Sequence, residues 1–329
     1  MINFEVVLAS GAEHLRTSFT QLGCRVHTSE FNFDGKRFFP NTDLYVKIGQ
    51  VEALAGKRIV VVQSCTGSSP SANEFFTTSD RLEELILLLD LLRNPTKVEK
   101  IEHKTYKTKP ITPPSQIDVV LTFQPFALQD KAFNTGEAVS SAIAMKSIAN
   151  LSDGIWVVEP VVDSGIPWVQ KLQKKGMYKI ISIVDELVKY AASKFQFDDY
   201  VLTAPDEGAQ RRFGLSGFSK RRSDSFTIEM QGEVDVRGRN VIVMDDLTKS
   251  GKTLLQAKEL LISQGARDVG FVVIHVTPIR DGGEELLDEL VTESNGKIVS
   301  SNTVYTATFC EKNPELIYDI VAKMVDSLE

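Results

Sequence analysis

Short apolar runs alternate along the chain with longer segments in which apolar residues recur at helical spacing. This alternation predicts strands followed by helices. The predicted elements of the first half are strands at 57–63 and 117–121 and helices at 80–92 and 138–150. Those of the second half are strands at 156–158, 200–203, 240–244 and 270–276, a helix at 183–195 and a helix that ends at Gly265. We expect Asp80 to cap the helix at 80–92, because Glu83 follows three residues later.

The order of these elements predicts an α/β protein with parallel sheets flanked by helices. A chain of 329 residues is long enough for two domains of ordinary size. We expect a first domain over 1–155 and a second over 156–313, with a C-terminal helix over 314–328 that packs back on the first. The stretch 211–235 is charged and lacks periodicity, which is typical of a functional or disordered loop.

The composition narrows the class of protein: 42% of the residues are hydrophobic and 25% are charged. No apolar run approaches the roughly 20 residues that cross a bilayer, and the first residues lack the pattern of a secretory signal. We therefore expect a cytoplasmic protein without membrane contact. There are 37 Lys and Arg against 44 Asp and Glu, and the net charge of −7 argues against nucleic-acid binding. Cys24, Cys65 and Cys310 are widely spaced, which predicts buried thiols and neither disulfides nor a zinc site.

The segment 241–253 carries the clearest chemistry. An apolar strand is followed by the acidic pair Asp245 and Asp246, and a polar loop then leads into a helix. Ligands of parallel sheets bind beyond the carboxyl ends of the strands. The N–H groups at a helix start attract phosphate, and Lys249 and Lys252 add positive charge. Because the two acids can contact sugar hydroxyls or a magnesium shell, the segment predicts a sugar-phosphate site.

Two other interpretations of this segment are a nucleoside-triphosphatase P-loop and an ordinary polar loop that caps a helix. The P-loop requires a glycine five residues before Gly251, and this chain has Asp246 there. We therefore exclude the P-loop, and the ordinary polar loop stays open at this point.

The order strand, Asp-Asp-Leu-x-x-Ser-Gly-x-Thr and helix resembles the phosphoribosyl-binding loop of type I phosphoribosyltransferases. Other stretches extend the resemblance, in the right order, over nearly the whole chain to the phosphoribosyl-diphosphate (PRPP) synthetases. They are 37–48, similar to a nucleotide-binding loop; 56–64 with 82–93, a strand and helix; 129–140, similar to the Arg-Gln-Asp-Lys element and its helix; 204–212, similar to a diphosphate-binding loop; and 219–222, similar to the Lys-x-Arg of a mobile catalytic loop. The form of the phosphoribosyl loop, together with the Pro-Asp-x-Gly-Ala of 205–209 and with Arg212-Phe213, resembles the divergent class II branch known from plants more closely.

This resemblance implies two tandem phosphoribosyltransferase-like domains and a homodimer or higher homo-oligomer with ATP sites at subunit contacts. It implies a Mg²⁺-dependent pyrophosphokinase that moves the β,γ-diphosphoryl group of ATP to the 1-hydroxyl of a ribose 5-phosphate moiety, with release of AMP. The implied catalytic residues are Lys220 and Arg222, and the implied metal ligands are Asp206 and Glu159. The implied sugar-phosphate ligands are Asp245, Asp246, Thr248, Lys249, Ser250, Gly251, Lys252 and Thr253. The implied ATP ligands are Phe39, Asn41, Asp43, Gln129, Asp130 and Lys131, with the first three reaching ATP of a neighbouring subunit.

Two departures from the family pattern concern ATP and the metal. Val161 stands where the family has a histidine at the metal and the ATP phosphates, and Leu128 replaces an arginine that contacts ATP. Glu159 or Asp163 could supply a carboxylate in place of the histidine, since oxygen ligands suit magnesium. His275 does not restore a histidine mechanism, because its apolar strand predicts a core imidazole.

A third departure makes the phosphoribosyl loop more cationic: Lys249 stands where an acid is common and Lys252 where glycine is common. We therefore weigh two acceptors, ribose 5-phosphate and ADP-ribose, which keeps a free 1-hydroxyl and carries a diphosphate. A catalytically silent regulatory subunit is an alternative of another class, favoured by the loss of the histidine. A phosphoribosyltransferase for a base is a third interpretation, but it leaves the first half and 219–222 unexplained.

Overall fold

The computed structural model describes residues 2–67, 70–71, 74–215, 219–222, 228–231 and 235–329, and for 70–71, 219–222 and 228–231 it describes the backbone alone. The chain divides into two compact units, of which the first comprises Met1–Ile181 with Val321–Glu329 and the second comprises Ser182–Ile320. The boundary therefore falls after residue 181, not after residue 155 as expected.

The first unit is built on a six-stranded sheet. Its strands are β1 (Glu5–Leu8), β2 (Val26–Thr28), β3 (Arg58–Ser64), β8 (Gln116–Phe123), β9 (Gly154–Val158) and β10 (Tyr178–Ile181). They are all parallel and lie in the order β10-β9-β8-β3-β1-β2. Because β9 and β10 extend this sheet, the first unit continues past the expected boundary.

Helices flank this sheet. They are α1 (Arg16–Gln21), α2 (Thr78–Arg93), α3 (Ser140–Leu151), α4 (Pro167–Lys174) and α9 (Val321–Leu328). The expected cap of α2 is wrong: the N-cap is Thr77, whose hydroxyl accepts the Asp80 N–H at 3.1 Å while the Asp80 carboxylate accepts the Thr77 N–H at 2.7 Å. Asp80 is thus the reciprocal partner in a capping box.

The second unit is built on a five-stranded sheet. Its strands are β11 (Tyr200–Thr203), β14 (Asn240–Thr248), β15 (Asp268–Val276), β16 (Ile298–Ser301) and β17 (Ile317–Tyr318). They are all parallel and lie in the order β11-β14-β15-β16-β17. The unbroken apolar runs of β14 and β15 are buried, as parallel strands covered on both faces require.

The helices of the second unit are α5 (Val184–Phe195), α6 (Glu207–Phe213), α7 (Lys252–Ser263) and α8 (Gly283–Glu293). Together the two units confirm the predicted α/β architecture of parallel sheets flanked by helices. The expected C-terminal helix over 314–328 is shorter, because a 3-10 turn at Pro314–Leu316 and β17 occupy its first part. The α-helical part of this range is α9, which belongs to the first unit.

Three antiparallel pairs stand apart from the two sheets. They are β4 (Pro70–Ser71) with β5 (Glu74–Phe75), β6 (Thr96–Glu102) with β7 (Thr105–Pro110), and β12 (Ser219–Arg222) with β13 (Ile228–Gln231). The first two pairs were not predicted, and the third lies in the stretch expected to be a loop. Within the described ranges, no helix has the length and apolar character that a membrane crossing needs.

The histidine and two of the three cysteines that were expected in the core are buried. His275 is buried, and its Nδ1 lies 2.9 Å from the Thr303 hydroxyl, so the prediction of a core imidazole is confirmed. Cys24 and Cys65 are buried free thiols, as expected, whereas Cys310 is only half-buried.

Candidate functional site

The acidic pair lies within β14 rather than in a loop after it. The strand expected to end at Met244 continues to Thr248, because its pairing with β15 extends as far as Thr248 opposite Val276. Asp245 is buried, and its Oδ1 accepts the N–H of Asp246 at 3.0 Å. Sheet pairing therefore fixes the backbone of both acids at the carboxyl end of the second sheet.

The chain then turns through Gly251 into α7. Gly251 has a φ of 72°, in the left-handed region that favours glycine. A Cβ at this position would lie 2.5 Å from the side chain of Leu290, which is buried. The Gly251 N–H donates to the Thr248 hydroxyl at 3.0 Å, and Lys249 and Lys252 are exposed on either side. The turn thus places two cations beside the N–H groups that begin α7, with no side-chain cap at that helix start.

The diphosphate-loop candidate follows β11, the neighbour of β14 in the sheet. Asp206 is the N-cap of α6, and its Oδ1 accepts the N–H groups of Gly208 and Ala209, each at 3.0 Å. One carboxylate oxygen of Asp206 therefore serves the helix start.

An ion pair joins this loop to the acidic strand. The Nε of Arg212 donates to Oδ2 of Asp246 at 2.7 Å. Burial raises the pKa of Asp246 above its ordinary value; Arg212 works against this rise, and the charge of Asp206 adds to it. The sequence analysis placed Arg212 at the end of the diphosphate-loop candidate but did not predict its ion pair with Asp246, because sequence spacing does not show which acid it meets.

The acids near the carboxyl end of the second sheet are too few to enclose a metal ion by themselves. Within the described ranges no group of three His, Cys, Asp or Glu side chains converges as a metal cage. Magnesium in phosphate-transferring sites needs only one or two carboxylates beside water and substrate phosphates, and Asp206, Asp245 and Asp246 at one sheet edge fit that requirement. Glu159 belongs to the first unit, directly after β9, where its φ is 36° and its N–H donates to the Ile181 carbonyl at 3.1 Å. Its role as a metal ligand stays a prediction.

The two predicted catalytic residues lie on β12. Its antiparallel partner β13 places Lys220 opposite Met230 and Arg222 opposite Ile228. The side chains of both residues lie outside the described part of the chain, so their catalytic role stays a prediction.

The first group of predicted ATP ligands forms a tight turn in the first unit. The Phe39 N–H donates to the Asp43 carbonyl at 2.9 Å, and the Asn41 amide donates to the Asp43 carboxylate at 2.6 Å. The ring of Phe39 meets that of Tyr45 edge-on at 5.7 Å. Asn41 and Asp43 are exposed, so the turn offers polar groups and one partly covered ring to a ligand.

The second group of predicted ATP ligands follows β8 in the same unit. The Gln129 amide donates to the Lys131 carbonyl at 3.3 Å, and the Asp130 carbonyl accepts the indole N–H of Trp168 at 2.8 Å. Lys131 is exposed. The backbone of this segment is thus fixed, while its charged end faces solvent.

The corresponding edge of the first sheet is filled by its own side chains. Glu84 accepts the Ser10 N–H at 3.1 Å and the Gln63 amide at 2.9 Å, while Arg81 donates to the Ser10 hydroxyl. The Gly11 N–H donates to the Gln63 side chain at 2.9 Å. Ser10, Gln63, Arg81 and Glu84 are all buried. These buried groups occupy the carboxyl ends of β1 and β3.

Comparison with known proteins places this arrangement in a family. Residues 142–307, half of the chain, match the model of the phosphoribosyl transferase domain. The ribose-phosphate pyrophosphokinase of Pyrococcus abyssi is 25% identical over 97% of both chains, and ribose-phosphate pyrophosphokinase 2 of Archaeoglobus fulgidus is 25% identical over 82% of this chain and 83% of its own. The structure of phosphoribosylpyrophosphate synthetase from Mycobacterium smegmatis shares the fold, with a TM-score of 0.69 and 20% identity over 99% of this chain and 97% of its own. The chain therefore belongs to the phosphoribosyl transferase domain family.

Proposed function

We propose that this enzyme transfers the β,γ-diphosphoryl group of ATP to the 1-hydroxyl of ribose 5-phosphate, giving PRPP and AMP. The observation that carries the proposal is the edge of the second sheet, where the acids of β14 lie beside a left-handed glycine turn into α7. Relatives named ribose-phosphate pyrophosphokinase, similar over nearly the whole chain, support it.

In this proposal the sugar phosphate is bound by the start of α7 on one side of the turn and by the acids of β14 on the other. The N–H groups from Ser250 to Thr253 and the charge of Lys249 and Lys252 attract the 5′-phosphate, as helix starts do. Asp246 and its neighbour Asp245 accept hydrogen bonds from the ribose hydroxyls. Gly251 permits this approach because a side chain there would displace Leu290.

The transfer itself is assigned to cations around the phosphates. The 1-hydroxyl oxygen attacks the β-phosphorus, the bond from that phosphorus to the oxygen of the α-phosphate breaks, and AMP leaves. Lys220 and Arg222 are the proposed clamp on the charge that redistributes in this step. Asp206 with the β14 acids would hold Mg²⁺, which neutralises phosphate charge when bound.

The adenine side of ATP is assigned to the first unit. The turn that carries Phe39, Asn41 and Asp43 offers a ring for stacking and polar groups for the base, from a neighbouring subunit. Gln129, Asp130 and Lys131 are proposed at the phosphates, where the exposed Lys131 adds positive charge. The substitution of Val161 and Leu128 for polar family residues leaves fewer contacts on this side.

Phosphorus NMR of the purified protein with Mg²⁺-ATP and ribose 5-phosphate tests the proposal. The expected result is AMP together with a new diphosphate linked to the sugar. A parallel sample with ADP-ribose tests the other acceptor, which none of the reported relatives supports by name. Lys220→Ala should keep the binding of ribose 5-phosphate and lose the formation of AMP, which separates transfer from binding.

The silent regulatory subunit remains a second candidate, because the side chain of Val161 has no polar atom to contact a metal or a phosphate. It predicts that ATP stays intact with either sugar while nucleotide still binds. Intact ATP in the NMR experiment would refute the transfer proposal and favour this alternative.

A further inference from the structure

Trp168 connects two parts of the first unit that are well separated in the chain. It is the second residue of α4, between Pro167, which begins the helix, and Val169, which is buried. Its indole N–H donates to the Asp130 carbonyl at 2.8 Å. A proline at the first position of a helix has its φ already set for the helix, and Val169 packs the next residue into the core. The donor of this hydrogen bond therefore has a fixed position.

The acceptor lies in the segment 129–131, which is proposed to contact the phosphates of ATP. The start of this segment is held by α3, because the Ser141 N–H donates to the Gln129 carbonyl at 3.2 Å. From Lys131 onwards the side of the chain changes, and residues 131–136 are all exposed. The bond from Trp168 thus holds the backbone directly before this exposed stretch.

The placement of the remaining polar groups matters on the ATP side of this chain. Leu128 stands where the resemblance implies an arginine, and its side chain is 56% exposed. Lys131 is the cation of the segment, and a long charged side chain on a loosely held backbone loses conformational freedom when it binds a ligand. A fixed carbonyl at Asp130, the residue before Lys131, removes part of that cost before ATP arrives.

We propose that Trp168 is a positioning residue for ATP, whose N–H fixes the Asp130 carbonyl and thereby holds Gln129 and Lys131 in place for the phosphates. Trp168 acts through the backbone of the segment. This role rests on the proposed function, because that function assigns 129–131 to ATP. Loss of the indole N–H lowers the fraction of molecules whose segment is competent to bind, and the apparent dissociation constant of ATP rises by the same factor.

Trp168→Phe tests this role, and Trp156→Phe is its matched control. Phenylalanine keeps an aromatic ring and lacks the N–H donor. Trp156 lies in β9 of the same unit, and its buried indole N–H has no hydrogen-bond partner among the residues that the structure describes. The two variants therefore make the same chemical change, and the one at position 168 removes a hydrogen bond to the segment 129–131.

Two measurements on the full chain separate positioning from other effects. The dissociation constant of Mg²⁺-ATP, from isothermal titration calorimetry, should rise about fivefold in Trp168→Phe, the factor that the loss of one neutral hydrogen bond gives. Hydrogen exchange of 129–136 in the free protein, followed by mass spectrometry, should become faster in the same variant. The KM for ATP should rise with the dissociation constant, while the kcat at saturating ATP should change little. Trp156→Phe should match wild type in all of these.

Each other outcome overturns the role of Trp168. Weaker binding without faster exchange would mean that the ring contacts the nucleotide directly, and faster exchange with unchanged binding would separate the hydrogen bond from ATP. Equal losses in both variants would indicate a general loss of packing. If wild type binds no ATP, this role and the proposed function fail together. If wild type binds ATP and forms no AMP, the transfer proposal alone fails, and the calorimetry still decides the role of Trp168.

Discussion

Gly251→Ala should destabilise the second unit by two separable effects. The first is the backbone, since a φ of 72° costs a residue with a Cβ about 1–2 kcal/mol. The second is steric, because the new Cβ would lie 2.5 Å from Leu290 in the core, and overpacking costs about 1–3 kcal/mol. The expected loss of unfolding free energy is the combination, about 2–5 kcal/mol.

Gly282 provides the matched control for the backbone effect. It is the N-cap of α8, as Gly251 is of α7, and has a φ of 74°, but a Cβ there would meet no atom within 4 Å. Gly282→Ala should therefore cost only about 1–2 kcal/mol. The steric effect is isolated by adding Gly251→Ala to a Leu290→Ala background, where the cost should fall to the backbone value.

Urea unfolding followed by circular dichroism measures these differences. Both tryptophans, Trp156 and Trp168, belong to the first unit, so their fluorescence serves as an internal reference that should change little. Equal costs for Gly251→Ala and Gly282→Ala would refute the steric argument, as would an unchanged cost in the Leu290→Ala background. Gly251→Ala should also raise the KM for ribose 5-phosphate, because the phosphate turn must shift.

Three further expectations follow from charged and titratable groups. Arg58→Ala should destabilise the first unit by about 3 kcal/mol in thermal unfolding, because Arg58 donates two hydrogen bonds, at 2.9 and 2.8 Å, to the buried Asp118. Arg212→Ala should raise the pKa of Asp246 further, so the acidic limb of the kcat/KM profile should move to higher pH; an unmoved limb would contradict a role for ionised Asp246. Burial raises the pKa of Cys310 to about 11, so the alkylation of this thiol at neutral pH should be about 100-fold slower than that of a free thiol. Mass spectrometry measures the alkylation rate, which should rise to that of a free thiol when the protein is unfolded.

The pattern of apolar residues was sufficient for the strands and helices that matter most to the site. Short unbroken apolar runs such as Val241–Met244 are typical of a parallel strand that is covered on both faces. The expected end of this strand at Met244 was wrong. Asp245, Asp246 and Thr248 interrupt the run of apolar side chains, but their backbone groups continue the hydrogen bonding of the sheet. The cap of α2 was misjudged for a similar reason: Thr77 and Asp80 are both capping residues, and only backbone geometry distinguishes the cap from its reciprocal partner.

The amino-acid sequence by itself determined the α/β class and the phosphoribosyl transferase family, because periodicity and motif spacing are local properties. Only the tertiary structure decided that β9 and β10 belong to the first unit, that Arg212 pairs with Asp246, and that a Cβ at position 251 would collide with Leu290. These are contacts between residues far apart in the chain, and no local spacing encodes them.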